Sequence, residues 1–421
     1  MFATIKQIVN PKNRDLQKKI LFTLVALFIF KIGTSIIVPG VQVSAKNLSF
    51  FEVINAMSGG AFSNASIFAL GVTPYITAQI IIQLLSMDIV PYLSELSKQG
   101  GVGRRKLNQI TRISGLVLAF IQGYLYSFAY IKSGSVTDYL LYSLILTAGT
   151  ALVMWIADQI TLKGIGNGMS LIIMAGIISV LPNMFVSLWN ELIPNGFIGM
   201  LTFTLFVLVF IIIIIGVIYV ETAQRRIPIQ YANKSTSASG QQNYIPFKLN
   251  SAGVIPVIFA SAILTIPQII ASVLKNEGFK LFVSKYLTYS KGIGFIIYML
   301  LILGFTFVYT FMQIKPKEMS DNLSKNGGYI PGIRPGKETI TYVSKVLNRI
   351  TLVGGIFLAV LAGLPIIFSH FSTFTTSISI SGTGLLIVVG VLLETYKQIE
   401  SQLVSRTYTK GRKGRRHRWK I

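Results

Sequence analysis

The sequence predicts an all-α membrane protein of ten transmembrane helices, arranged as two inverted five-helix halves around a central path. Three observations support this prediction. Of the 421 residues, 52% are hydrophobic and 12% are charged, whereas about 25% of residues are charged in soluble domains. Apolar runs long enough to cross a hydrocarbon core of about 30 Å recur along the whole chain. A short motif at the start of the second run returns at the start of the seventh.

The apolar windows predict ten spans, and we expect the first to be retained because no cleavage site follows it. An even number of spans places both termini on one side of the membrane. If that side is cytoplasmic, 31 of the 38 Lys and Arg fall in cytoplasmic segments, 6 fall outside and Lys31 lies inside the first span, as the positive-inside rule requires. We therefore expect an inner-membrane protein with both termini in the cytoplasm. The spans lie near residues 20–38, 68–87, 113–131, 138–157, 168–187, 198–220, 252–274, 292–314, 350–369 and 376–396.

The repeated motif reads G-V-x-P-x-I at residues 71–76 and again at residues 253–258. It makes spans two and seven equivalent if the chain has two five-helix halves, at residues 1–187 and 188–421. Five is odd, so the halves must run in opposite membrane orientations, and transport pathways commonly lie at such a repeat interface. The alternative is two ordinary helix starts, since proline suits the first turn of any helix.

Two expected cytoplasmic loops, residues 221–251 and 315–349, are long for connections between packed helices and carry many basic and turn-forming residues. A basic tail follows the last span. These loops are either solvated basic segments near anionic lipid or a docking surface for a large cytoplasmic partner.

Residues 51–66, before the second span, are rich in small side chains and too polar to cross lipid alone. Irregular backbone at membrane depth is tolerated only inside protein or along a cavity. Because Gly59 and Gly60 give this segment flexibility, it is a candidate for a short re-entrant plug.

Catalytic and metal-binding patterns are missing from the sequence. There is no cysteine, and His370 and His417 are too far apart in the chain for a paired metal motif. Residues 332–338 fail the spacing of a phosphate-binding loop. Asp158 and Glu394 lie near cytoplasmic span ends, where a solvated position is more common than a proton relay. We expect no enzyme activity, no cofactor and no metal.

Several short motifs are spread along the whole chain, and together they resemble the SecY family of protein-translocase channel subunits. The resemblance implies a passive, gated channel with a short plug helix. The motifs include M-S-G-G at 57–60, S-I-F-A-L-G at 66–71, G-R-R-K at 103–106, G-I-G-N-G at 164–168, Q-R-R-I-P at 224–228 and P-G-I-R-P-G at 331–336.

The resemblance also implies roles for individual residues. A lateral gate, with Gln83 as a polar contact, is expected between spans two and three and spans seven and eight. Arg225, Arg226 and Arg334 match positions that engage a cytoplasmic partner. The expected apolar pore ring consists of Val72, Ile76, Ile173, Ile177, Ile258 and Ile387. The expected plug consists of Met57, Ser58, Gly59, Gly60, Ala61, Phe62, Ser63, Asn64, Ala65, Ser66 and Ile67.

The resemblance implies several partners: SecE and SecG in a heterotrimer, the SecA ATPase, the ribosome, signal peptides, nascent membrane segments and membrane lipid. Energy would come from SecA, from the ribosome or from the proton-motive force. Two alternatives are a secondary transporter for a small solute and a structural membrane scaffold. The transporter is favoured by inverted repeats but lacks an ionisable residue at the membrane midplane.

Overall fold

The computed structural model describes residues 13–39, 55, 58–86, 89–131, 135–231, 243–273, 277–288, 292–371 and 381–417. The chain divides into two compact units. Unit 1 comprises Met1–Ser187 and Ile387–Ile421, and unit 2 comprises Leu188–Leu386. The second half that we expected runs to residue 421, whereas the end of the chain groups with unit 1.

Among the described residues, six helices begin in unit 1, and local sequence explains several of their starts. Pro74 and Pro91 occupy the first turns of the second and third helices, where a missing N–H costs nothing. Ser135 and Asp138 form a capping box at the fifth. The helices are α1 (Arg14–Gly33), α2 (Thr73–Leu85), α3 (Pro91–Lys98), α4 (Gly100–Tyr130), α5 (Val136–Lys163) and α6 (Gly168–Leu192).

Small residues bring the helices of unit 1 close together. A Cβ added at Gly115 of α4 would lie 3.1 Å from the Cα of Tyr75 on α2. A Cβ added at Gly123 would lie 3.2 Å from Oγ of Ser143 on α5, and that hydroxyl donates to the Phe120 carbonyl at 2.6 Å. Close backbone approach and interhelical hydrogen bonds are the usual basis of helix association in lipid.

Unit 2 contains helices and a small sheet. Its last helix begins in unit 2 and continues into unit 1. The elements are α7 (Gly196–Thr222), β1 (Gln224–Tyr231), β2 (Asn243–Lys248), α8 (Ile255–Val273), α9 (Glu277–Tyr286), α10 (Gly292–Gln313), α11 (Pro316–Lys325), β3 (Gly328–Tyr329), α12 (Lys337–Phe371) and α13 (Ser381–His417).

The sheet joins the two long loops that we expected at residues 221–251 and 315–349. Its order is β2-β1-β3, with both pairs antiparallel. Ile227 lies opposite Ile245, and Gln230 lies opposite Tyr329. Beneath the sheet is a hydrophobic core to which the first turns of α12 also contribute. We call this folded body the loop platform, and its buried core residues are Ile227, Phe247, Ile330, Val343, Leu347 and Ile350.

Each of the ten expected spans overlaps a separate helix among the described residues, which confirms the predicted helical architecture. Several helices extend beyond the spans: α4 begins at Gly100 and α12 at Lys337, because helices continue into water where hydropathy no longer marks them. Five helical stretches of the described chain are long and apolar enough to cross a membrane. They are Val136–Lys163, Gly168–Leu192, Gly196–Thr222, Gly292–Lys325 and Lys337–Leu364.

Candidate functional site

The expected plug is described from Ser58 onward, and Met57 lies outside the described residues. Residues 58–72 form consecutive turns in place of the short helix that we expected. Gly59 and Gly60 have φ angles of +72° and +84°, which glycine adopts without steric cost. These left-handed residues break helical continuity, which explains the turns.

Local hydrogen bonds satisfy part of this irregular backbone. The amide of Phe62 donates to Ser58 Oγ at 3.2 Å, and the amide of Ser63 donates to Asn55 Oδ1 at 2.9 Å. The amide of Ser66 donates to the Ala61 carbonyl at 3.0 Å. Such pairing is what allows non-helical backbone to lie at membrane depth.

The chain that follows α1 pairs with the end of the plug. The amide of Val38 donates to the Ala65 carbonyl at 3.1 Å, and the amide of Ile67 donates to the Ile36 carbonyl at 3.0 Å. Phe62 is buried with an exposed fraction of 1%, and its ring meets Tyr126 of α4 edge-on at 5.2 Å. The plug is therefore packed within unit 1 in this structure.

The plug packs against α6 and against the turn before α2, in each case at the residue immediately before an expected ring position. A Cβ added at Gly71 would lie 3.5 Å from Ser58 Cβ, and a Cβ added at Gly59 would lie 3.1 Å from the Cα of Gly176. Gly71 precedes Val72, and Gly176 precedes Ile177 on α6. The plug thus lies beside the helix start and helix turn that carry part of the expected ring.

Five of the six expected ring residues belong to unit 1, and Ile258 belongs to unit 2. Val72, Ile173, Ile177 and Ile387 are buried, whereas Ile76 and Ile258 are half-buried. An incompletely buried branched aliphatic side chain is available to contact a passing chain. Assembly of all six into one ring stays a prediction.

Gln83, the expected contact of the lateral gate, is half-buried near the end of α2. Its backbone carbonyl accepts a hydrogen bond of 2.7 Å from Ser86 Oγ, which closes the last turn of the helix. Its role across a gate stays a prediction.

Arg225 and Arg226 lie at the start of β1 and are exposed. Ile227 and Ile229 of the same strand are buried, so Arg226 lies on the opposite, solvent-facing side. The Arg226 guanidinium carbon lies 4.7 Å from the centre of the Tyr244 ring on β2. This cation–π contact holds the charge in place over the sheet.

Arg334 is exposed on a turn whose backbone is held at several points. The Thr339 hydroxyl donates to the Arg334 carbonyl at 2.9 Å, and the Arg334 amide donates to Glu338 Oε2 at 3.3 Å. The Ser320 hydroxyl of α11 donates to the Gly336 carbonyl at 3.2 Å. These contacts fix the turn on which the exposed Arg334 lies.

Sequence reasoning missed the sheet and one contact of the plug. The alternation of Ile227 and Ile229, and of Ile245 and Phe247, is a strand pattern that could have indicated the sheet. Lys31 was noticed only as a charge inside the first span, whereas its Nζ lies 3.3 Å from the Gly59 carbonyl. No local pattern could have found that contact. Among the described residues, no group of three His, Asp or Glu could hold a metal ion.

Comparison with known proteins assigns the chain to a family. A SecY family model matches residues 66–396. The SecY translocase subunit of Halalkalibacterium halodurans is 45% identical, over 97% of this chain and 99% of the relative. That of Bacillus subtilis is 46% identical, with the same coverage.

Two solved structures share the fold. One, described as a protein-conducting channel, has a TM-score of 0.66 at 20% identity and covers 93% of each chain. The other, Sec61 in the canine ribosome-channel complex from the endoplasmic reticulum, has a TM-score of 0.64 at 19% identity, also over 93% of each chain. The fold is therefore that of the channel structures, and the chain belongs to the SecY family.

Proposed function

We propose that this chain is the central subunit of a protein-conducting channel, which moves unfolded preproteins across the cytoplasmic membrane and releases membrane segments sideways into lipid. The observation that carries the proposal is the position of the plug, buried against Gly71 and Gly176 beside the ring residues Val72 and Ile177. A movable irregular segment packed at an apolar constriction is suited to closing a path that must open wide. A helical bundle without a central path would not need such a segment.

The six ring residues are aliphatic, and this chemistry suits a sliding polypeptide. Branched apolar side chains close around a chain without forming hydrogen bonds to it, and a narrow apolar ring resists wetting and so impedes ions. Val72 is one methylene shorter than isoleucine, which leaves the seal feasible. We assign the ring to both halves of the protein, residues 1–187 and 188–421.

The loop platform is the proposed docking surface for SecA or the ribosome. Its three exposed arginines lie on folded backbone, so less side-chain and loop freedom is lost on docking. A guanidinium binds carboxylates and RNA phosphates through the same paired donors. The energy for transport would come from these partners or from the proton-motive force. SecE and SecG complete the proposed heterotrimer. We propose that both termini lie in the cytoplasm, which the distribution of Lys and Arg supports.

Photocrosslinking tests the proposal directly. A photoreactive residue at Ile76 or Ile258, in the assembled translocase, should form adducts with a stalled preprotein. Phe197 is the matched control, because its exposed fraction is 80%. It lies at the start of α7, an apolar helix that carries none of the expected ring residues. Adducts at Ile76 and Ile258 but not at Phe197 are expected. Their absence, with preprotein import intact, would refute a path through the ring.

Deletion of residues 57–67 tests the plug separately. We expect ion conductance of the resting complex in a planar bilayer to rise while membrane insertion of the channel persists. Unchanged conductance would remove the sealing role from this segment and leave the channel itself in place.

A further inference from the structure

Lys31 is a charged residue near the end of α1, inside the first apolar span. Charged side chains within spans are costly and usually mark function or an interfacial anchor. The apolar neighbours Phe30 and Ile32 offer the ammonium no polar side chain, so its partner must come from elsewhere in the fold. Its Nζ donates to the carbonyl of Gly59 at 3.3 Å, 28 residues further along the chain.

The Gly59 carbonyl is held from a second side by α6. Ser179 Oγ lies 3.4 Å from it, but the same hydroxyl also lies 2.8 Å from the Gly176 carbonyl. A hydroxyl has one hydrogen to donate, and Ser179 donates it mainly to the nearer Gly176 carbonyl. Lys31 is therefore the stronger donor to Gly59, and its bond is charge-assisted, which roughly doubles the strength of a hydrogen bond.

The position of Gly59 makes this contact decisive for the plug. Gly59 is the first of the two left-handed glycines, and its backbone packs on Gly176 of α6. A donor on α1 that fixes the Gly59 peptide therefore ties the beginning of the plug, while the Ala65 and Ile67 hydrogen bonds tie its end. The second pair is neutral backbone pairing, and Lys31 supplies the one charged contact described for the segment.

We propose that Lys31 is a positioning residue that holds the plug in its docked state through the Gly59 carbonyl. The inference rests on the proposed function, since it presumes that this segment seals the channel. Undocking breaks this charge-assisted contact between Lys31 and Gly59, so the contact favours the docked state of the plug. The contact is one bond, which a translocating chain can replace.

The test compares three single variants in the reconstituted complex: Lys31→Met, Lys31→Arg and Lys163→Met. Lys31→Met keeps the approximate length of the side chain but removes the donor, and Lys31→Arg keeps the charge. Lys163 is a control because it is also an exposed last-turn lysine, on α5. Resting ion conductance should rise about tenfold in Lys31→Met, as expected for losing one charge-assisted bond. Lys31→Arg should stay within about twofold of the native value, and Lys163→Met should not change.

A second measurement reports the plug itself. The chain has no cysteine, so Ala61→Cys introduces a single thiol at a fully buried plug position. A water-soluble maleimide should label this thiol about tenfold faster when Lys31→Met is added. Import of a normal preprotein by the double variant shows that it has folded.

The outcomes separate the inference from the function on which it rests. In a channel lacking residues 57–67, Lys31→Met should cause no further leak, because its acceptor is gone. Two results would overturn the Lys31 assignment alone and leave Lys31 as an interfacial anchor. The first is that Lys31→Met raises conductance as much in the deletion variant as in the native channel. The second is that Lys31→Met has native conductance and labelling although the deletion variant leaks. A deletion that does not leak refutes the plug, and the assignment falls with it.

Discussion

The hydroxyl of Tyr329 donates a hydrogen bond of 3.0 Å to Oε1 of Gln230, 99 residues earlier in the chain. The same two residues face each other across β1 and β3. This pair joins the two loops that carry the candidate docking arginines. Arg226 and Arg334 are therefore presented by a single folded body, and a partner that binds one of them meets a fixed arrangement of both.

Arg334→Glu should abolish partner-driven import while leaving the fold intact. Reversing an exposed charge usually changes stability by less than about 0.5 kcal/mol, whereas breaking a desolvated interfacial pair costs about 2–5 kcal/mol. We therefore expect partner affinity to fall at least about thirtyfold. The measurements are ATP-dependent preprotein import into vesicles and SecA binding. Arg349→Glu is the control, an exposed charge reversal on α12, and equal losses in both variants would reduce Arg334 to one charge among many.

Leu347→Ala should unfold the loop platform and leave the membrane helices folded. Leu347 is fully buried in the platform's core, and removing such a side chain costs about 2–5 kcal/mol. Protease cleavage within residues 221–251 should become faster, and SecA binding should weaken. Leu352→Ala, five residues later on the same helix and 51% exposed, is the matched substitution. Similar protection in both variants would show that the core does not maintain the platform.

Ile387→Asn and Ile258→Asn should loosen the closed channel. An amide without partners costs up to a few kcal/mol at the buried position 387 and less at the half-buried position 258, and opening relieves that cost by admitting water. Export of preproteins with defective signal sequences should rise in both variants. Unchanged export at normal protein levels would remove these two residues from the ring.

Gly149→Ala should disturb the plug from the side of α5. A Cβ at this position would lie 2.0 Å from the Ile67 carbonyl oxygen, so backbone must move at a cost of about 1–3 kcal/mol. Thermal stability should fall and resting conductance should rise. Gly216→Ala on α7 meets nothing within 4 Å and should be neutral or slightly stabilising. If the two variants behave alike, close packing at Gly149 is unimportant.

The sequence predicted the helices well because hydrocarbon imposes a single requirement on every span. It placed the start of the second span too early, since turns continue to Val72 and Gly71 adopts a φ of +54°. Hydropathy cannot distinguish an apolar turn from an apolar helix. The β1–β2 pairing was missed because the loop at residues 221–251 carries many basic and turn-forming residues. Two of its prolines, Pro228 and Pro246, lie on the exposed side of the sheet.

Contacts between residues far apart in the chain could not be predicted from the sequence. Whether Lys31 turns toward the membrane surface or toward Gly59 depends on where a segment 28 residues away folds. Similarly, the Oγ of Thr23 accepts from the amide of Ile165, 142 residues later. One sequence records the residue types at such positions, but only the folded chain brings them together.

The short α2 has a consequence for how this protein is made. Its 13 residues rise about 20 Å, whereas the hydrocarbon core is about 30 Å thick, and the turns before it have backbone that lipid cannot satisfy. The stretch from Ser58 to Leu85 therefore cannot enter the bilayer alone; it needs α4, α5 and α6, which are synthesised after it. Order of synthesis and order of integration must therefore differ. A chain truncated after residue 86 and released from the ribosome should leave this stretch open to protease, and a released chain extended beyond residue 192 should protect it.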